Sequence, residues 1–175
     1  FDRDGNPLPE YNFFPFGPGY RGGVEIAAGP MTGPGRFEIV AGQSRAASLV
    51  RVFTVNPGQG VESRPIRQIQ PFGPRFRGGV TVATADVGTF AGGSPLSASP
   101  DGVAEIIIGS GSGIPAQVRA FNAAPARPVP VGAFRAIAPR YRGGVSVSKL
   151  PGANGLADRV LVAGGRRSGG RVQTW

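Results

Sequence analysis

The chain of 175 residues contains no histidine and no cysteine. Without imidazole there is no Ser-His-Asp relay and no histidine ligand for zinc or haem. Without thiols there is no thiolate nucleophile, no cysteine-ligated cluster and no disulfide. Cysteine-free secreted repeat domains are common, so this absence does not fix a compartment. Only ten Asp and Glu are present. They are scattered over turns and repeat positions, with no pair at a spacing suited to acid–base catalysis. No segment approaches the roughly 20 consecutive apolar residues of a membrane span. Helical stretches are lacking too, because 30 Gly and 18 Pro interrupt nearly every run of ordinary helix length.

What the chain has is repetition. Tyr20-Arg21-Gly22-Gly23-Val24 returns as Phe76-Arg77-Gly78-Gly79-Val80 and as Tyr141-Arg142-Gly143-Gly144-Val145. A second anchor, Glu38-Ile39-Val40-Ala41-Gly42, matches Glu105-Ile106-Ile107-Ile108-Gly109 and, more loosely, the stretch from Asp158 to Gly164. A third runs Val50-Arg51-Val52-Phe53, Val118-Arg119-Ala120-Phe121 and Val172-Gln173-Thr174-Trp175. With Phe1 as the tail of the same element, the units are residues 1–53, 54–121 and 122–175 of a single repeat domain.

Apolar residues make up 40% of the chain and come in short runs bounded by Gly or Pro, the pattern of short strands and tight turns. In the first unit the runs predict strands over Gly23–Ala28, Phe37–Ala41, Leu49–Phe53 and near Pro65–Gln70. The second unit predicts Val80–Ala85, Ala104–Ile108, Gln117–Phe121 and Gly132–Ala138. The third predicts Val145–Ser148, Arg159–Ala163 and Arg171–Trp175. A spare strand, Tyr11–Phe16, is expected to belong with another blade. The fold class is all-β, with blades of four antiparallel strands, about three in number.

The ordered anchors, aromatic-Pro-Phe-Gly-Pro-x-aromatic-Arg-Gly-Gly-Val, Glu-Ile-Val-Ala-Gly and Val-Arg-Val-Phe, resemble the FG-GAP repeat of integrin-α-type β-propellers, in its bacterial, VCBS-like form. The resemblance covers nearly the whole chain. It implies a seven-bladed type of propeller, an extracellular or cell-surface location, and work in adhesion or in binding protein or glycan. Three blades do not close such a ring, so further blades or another subunit are expected to cover the open faces. The start within a blade at Phe1 leads to the expectation of a processed or incomplete chain.

The resemblance also implies a calcium loop between the first two strands of a blade, which needs oxygen ligands at alternating positions. In the first unit Pro30 to Phe37 has lost the acids and only Glu38 remains. In the third, Lys149 opposes a cation. The middle unit keeps Asp86, Asp101 and Glu105, three carboxylates for calcium; an Asp-stabilised turn beside a surface acid is the competing and stronger reading.

The net charge is +9, and Lys149 is the only lysine among 19 basic residues. Arginine forks suit carboxylate, phosphate and sulfate, so acidic partners are expected: a protein face, an acidic glycan or an anionic surface. A genome of high G+C content accounts for the arginine equally well. Arg166, Arg167 and Arg171 form the best local candidate for anion contact, and a basic hairpin turn explains them as well. The Arg-Gly-Gly triplets differ from RNA-binding RGG boxes, which are dense runs in disordered sequence. Here Gly22, Gly23, Gly78, Gly79, Gly143 and Gly144 hold one repeat phase, as structural positions needing positive φ or close packing do. Charge alone leaves nucleic acid open, but no aromatic-rich stacking strands support it. Gly109 to Gly113 lacks the Lys and Ser/Thr of a phosphate loop and reads as a turn. The functional reading is a non-catalytic binding or assembly module; the alternatives are a scaffold or binding appendage of a larger secreted enzyme, and an arginine-rich polyanion-binding protein.

Overall fold

The computed structural model describes residues 2–88 and 100–175, so the Gly/Ser/Pro-rich insertion after Thr89 lies, up to residue 99, outside the described residues. Three antiparallel sheets follow one another along the chain. The first comprises β1 (Val24–Gly29), β2 (Glu38–Gln43), β3 (Val50–Asn56), β4 (Gly60–Val61) and β5 (Arg67–Ile69). The second comprises β6 (Val80–Ala85), β7 (Glu105–Ser110), β8 (Val118–Asn122) and β9 (Val129–Phe134). The third comprises β10 (Val145–Leu150), β11 (Arg159–Gly164) and β12 (Val172–Thr174). Each strand predicted between Gly23 and Trp175 is present, with its ends moved by a few residues. The largest shift is in β9, where Pro130 enters the strand opposite Phe121 at a register irregularity. A proline has no N–H to give a ladder, and β9 is the edge of its sheet, where that loss is tolerated.

The spare strand expected over Tyr11–Phe16 is absent. Tyr11 instead ends a 3-10 turn, Pro9–Tyr11, and the residues after it make no strand pairing. Pro15 removes a donor the strand would need, and Pro9 starts the 3-10 turn that takes Tyr11 out of it. Nor does the segment belong with another sheet: the Phe13 ring packs edge-on against Phe53 of β3 at 4.9 Å, and Tyr11 Oη accepts a hydrogen bond from Gly58 N at 3.1 Å. It covers the first unit's own sheet.

The sheets pack face to face, with β6 lying between β1 and β10. The face of each sheet turned toward the preceding unit is its front. Val80 and Val82 of β6, with Ile106 and Ile108 of β7, meet Val40, Val50 and Val52 of the first sheet in one core. On the rear of the same sheet, Ala83, Ala85 and Ile107 meet Val145, Val160 and Val162 in a second core. This double burial is why β7 reads Ile-Ile-Ile rather than alternating: every residue of that strand is buried. By contrast β1 has only its rear covered, and Val24, Ile26 and Ala28 of its front are exposed.

The seams share one plan. Fronts carry branched side chains: Val24 and Ile26, Val80 and Val82, Val145 and Val147. On the rears the first strand is small, Ala27 in the first unit and Ala83 in the second, and a glycine follows on the second strand, Gly42 and Gly109, while Val40, Val50 and Val52 and, in the second unit, Ile107 fill the rest. A Cβ on Gly42 would lie 2.7 Å from Val80 Cγ2, and one on Gly109 would lie 2.9 Å from the Val145 carbonyl oxygen. Each small residue therefore admits the branched front of the next unit. Backbone bonds cross both seams at matching positions, Ala104 N–H to the Pro30 carbonyl at 2.7 Å and Asp158 N–H to the Asp86 carbonyl at 2.8 Å.

Candidate functional site

The recurring aromatic-Arg-Gly-Gly motif leads into the first strand of each unit. Its first glycine sits under the aromatic ring two residues earlier: a Cβ would lie 2.2 Å from Tyr20 Oη at Gly22, 2.5 Å from the Phe76 ring at Gly78, and 2.3 Å from Tyr141 Oη at Gly143. The second glycine holds a positive φ, +83° at Gly23, +76° at Gly79 and +80° at Gly144, where only glycine rests without strain. The tyrosine hydroxyls then tie the turn after the second strand, Tyr20 to the Arg45 carbonyl at 2.8 Å and Tyr141 to the Arg166 carbonyl at 3.1 Å. The arginine between is pinned through one nitrogen: Arg21 donates to the Pro18 carbonyl, Arg77 to that of Pro74, and Arg142 to that of Gly113.

A second set of arginines has a structural task that the sequence did not disclose. Arg51 on β3 donates to the Pro15 carbonyl at 2.9 Å and lies 5.7 Å from the Phe16 ring centroid. Arg119 on β8 donates to the Pro71 carbonyl and lies 5.3 Å from the Phe72 centroid. In the third unit Gln173 stands at this position, with its amide nitrogen turned to the Ala136 carbonyl. Arg119→Ala is expected to lose about 1.5–3 kcal/mol, the worth of a charged hydrogen bond and a cation–π contact. Arg119→Lys should fall between Ala and the wild type, because lysine keeps the charge and loses the planar fork. Urea unfolding midpoints of the three proteins would rank them.

At the opposite end of the sheets the carboxylates form a latch. The N–H two residues past the first strand donates to a carboxylate at or just before the start of the second strand: Met31 to Glu38 at 2.8 Å, Val87 to Glu105 at 3.2 Å and Gly152 to Asp158 at 3.1 Å. Thr32 adds its hydroxyl to Glu38. Asp158 also accepts from Asp86 N at 3.0 Å across the seam and pairs with Lys149 at 3.5 Å. Glu38 and Glu105 are 1% and 2% exposed, so these buried carboxyl groups need the amide partners they have.

The three residues considered for calcium are drawn into this end and are occupied there. Asp86 accepts from Gly102 N at 2.8 Å and Asp101 N at 3.3 Å, and Asp101 caps its own turn through Val103 N at 2.8 Å. Glu105 serves the latch. Burial pushes its pKa up to about 7, and the negative charges of Asp101 and Asp86 push the same way. Among the described residues no group of three or more acidic side chains is placed to hold a metal ion. Asp86 and Asp101 stabilise turns, while the acid beside them, Glu105, is buried and is not the surface acid expected.

Charge divides between the two ends. The loops at the Arg-Gly-Gly end span residues 15–23, 43–49, 69–79, 110–117, 134–144 and 164–171; they hold ten arginines and not one Asp or Glu. The loops at the latch end span 29–38, 54–66, 85–88, 100–105, 122–129 and 149–160; they hold six acids against five basic residues. Arg166, Arg167 and Arg171 stand at the basic end and are exposed, together with Arg45, Arg75 and Arg140. The only ion pair among the described residues is at the latch end. An open groove at the basic end runs between the 72–78 and 112–114 loops, with Arg75 and Arg77 on its wall and Phe72, Phe76 and Ile114 among its lining.

The chain matches no family model, no curated protein and no solved structure. Among the described residues no helix is long and apolar enough to cross a membrane.

Proposed function

We propose that the chain is a sector of a larger β-propeller, three consecutive blades of the FG-GAP or VCBS-like kind, serving outside the cell or on its surface as a non-catalytic binding and assembly module. One observation carries this reading: both terminal faces are unfilled halves of the seam that already joins the units. Val24 and Ile26, at 41% and 72% exposed, stand where Val80 and Val82 are buried against the preceding sheet. The rear of the third sheet presents Ser146, Ser148 and Ala163, the small residues that a following front requires, and Leu150 and Val172 beside them are 44% and 63% exposed. Faces of this kind are covered in stable repeat proteins. A further unit of the same repeat, in the same polypeptide or in another, fits them.

The isolated 175-residue chain is accordingly expected to self-associate at high concentration. Ile26→Asp should shift it toward monomer without lowering its unfolding midpoint, since the side chain is exposed in this sector. Sedimentation velocity over a concentration series decides the matter. A monodisperse monomer at high concentration sinks the reading.

A further inference from the structure

We infer that the Arg-Gly-Gly end is a docking surface for an acidic polysaccharide, whose carboxylate or sulfate groups are met by arginines repeated from unit to unit. This rests on the reading of the chain as a binding module and names its ligand class. Four observations support it.

The charge is placed rather than spread. Ten arginines and no acid lie in the loops of one end, where only Glu25 of β1 reaches in to Ser44, while the loops of the other end are nearly balanced, so most of the net charge of +9 is concentrated on a single surface. A surface of one sign attracts an oppositely charged chain and steers its approach.

The arginines are also held ready. Arg21, Arg77 and Arg142 are exposed at equivalent positions, each with one guanidinium nitrogen anchored on a backbone carbonyl and the rest of the fork projecting. Anchoring removes part of the ordering entropy that a ligand would otherwise have to offset. Face-packed sheets lie about 10 Å apart, which sets the scale on which the motif recurs; Arg21 and Arg77 hold prolines of their own units and Arg142 reaches back to Gly113 of the preceding one. A polymer with regularly spaced charges can use such a row; a single small anion cannot.

The groove adds a place for a sugar ring. Arg75 and Arg77 line it together with Ser112 and Ile114, so an anionic group, a sugar hydroxyl and a small apolar contact can be met together.

Finally, the repeated aromatic rings beside the arginines are already engaged. Phe16 and Phe72 each carry an arginine over the ring and meet Tyr20 and Phe76 edge-on at 5.3 and 5.5 Å. Single-stranded nucleic acid is bound by open aromatic faces on which bases stack. These rings are not open faces, and that favours the polysaccharide.

The test is equilibrium binding to heparin and to polygalacturonate, with neutral dextran and a single-stranded oligonucleotide as comparisons, over a series of salt concentrations. The acidic polysaccharides should bind with a steep salt dependence, and dextran should not bind. The triple variant Arg75→Ser, Arg140→Ser, Arg166→Ser should weaken polysaccharide binding at least about tenfold and flatten the salt slope. The triple variant Arg36→Ser, Arg64→Ser, Arg127→Ser removes the same charge from the latch end and should change binding less than about twofold. Equal losses in the two triples would reduce the effect to net charge and overturn the inference. So would absence of polysaccharide binding, or tighter binding of the oligonucleotide at equal salt. If the first triple lowers the unfolding midpoint, Arg166→Ser and Arg167→Ser, singly and in an exposed turn, take its place: each should weaken binding and flatten the slope, and no change in either would overturn the inference. Failure here with self-association intact removes the ligand and leaves the propeller reading standing. Binding by a strict monomer does the reverse.

Discussion

Gly79→Val is expected to abolish stable folding at 25 °C. The residue has φ +76°, and a Cβ there would lie 1.9 Å from the carbonyl oxygen of Ser44 and 2.9 Å from Arg45 N. Both are backbone atoms of the preceding unit, so relief requires the first seam to open. A branched residue in the left-handed region costs on the order of 1–3 kcal/mol, and the backbone clash carries the total above about 4 kcal/mol, comparable with the whole stability of many domains. The equivalent glycines separate the two contributions. At Gly23, φ is +83° but a Cβ would meet only Ser44 side-chain atoms at 3.4 Å; at Gly144, φ is +80° with backbone atoms at 3.0–3.2 Å. Valine should therefore be tolerated best at Gly23, less at Gly144 and least at Gly79. Urea unfolding of the three variants checks the order. Equal losses at all three would mean that strain alone matters and that the seam contact at Gly79 is not the determinant.

Glu105→Gln is expected to remove most of the fall in stability between acid and neutral pH. The carboxyl has an ordinary value of 4.5 and is pushed up to about 7 in the folded chain, first by burial and then by the charges of Asp101 and Asp86. Between those values the folded state holds a proton that the unfolded state has released. Stability therefore declines as pH rises from about 4.5 to about 7 and levels off above that, by about 2–3 kcal/mol in all. Glutamine keeps an oxygen for the Val87 N–H and carries no charge at any pH. The variant should match the wild type near pH 4.5 and exceed it by about 2 kcal/mol at pH 8. Unfolding midpoints at pH 4.5, 6 and 8 report the difference directly. Parallel profiles for the two proteins would show that Glu105 is not the group responsible.

The strands were legible because their signals are local: branched runs between Gly and Pro place β1 to β3, β6 to β8 and β10 to β12 within a few residues. The segment Tyr11–Phe16 misled because its aromatics look like a strand's, whereas Phe13 is a plug for Phe53 and Pro15 denies it a ladder donor. The six repeat glycines were legible as special positions, but the sequence could not show that the first of each pair lies beneath its own aromatic ring. The acids Asp86, Asp101 and Glu105 were legible as a cluster. Their engagement by backbone amides was not, since amide positions follow from strand register. Nor did the single-ended distribution of arginine show in the sequence, where Arg45, Arg75, Arg140 and Arg166 are far apart. It needs the antiparallel order that brings the start of each first strand beside the end of each second.

At the first strand of each unit the front is branched and the rear small, Val80 and Val82 meeting Ala27 and Gly42, so the seam joins a front to a rear. Growth by such a joint is directional and does not stop of itself: it closes into a ring when the turn between units divides a full circle, and otherwise runs on as a filament. The number of units is then a property of the angle at the seam. Gene duplication could lengthen the array without any new contact having to evolve, and a residue such as Gly42 or Gly109, which sets how closely one unit approaches the next, would decide the count for the whole assembly.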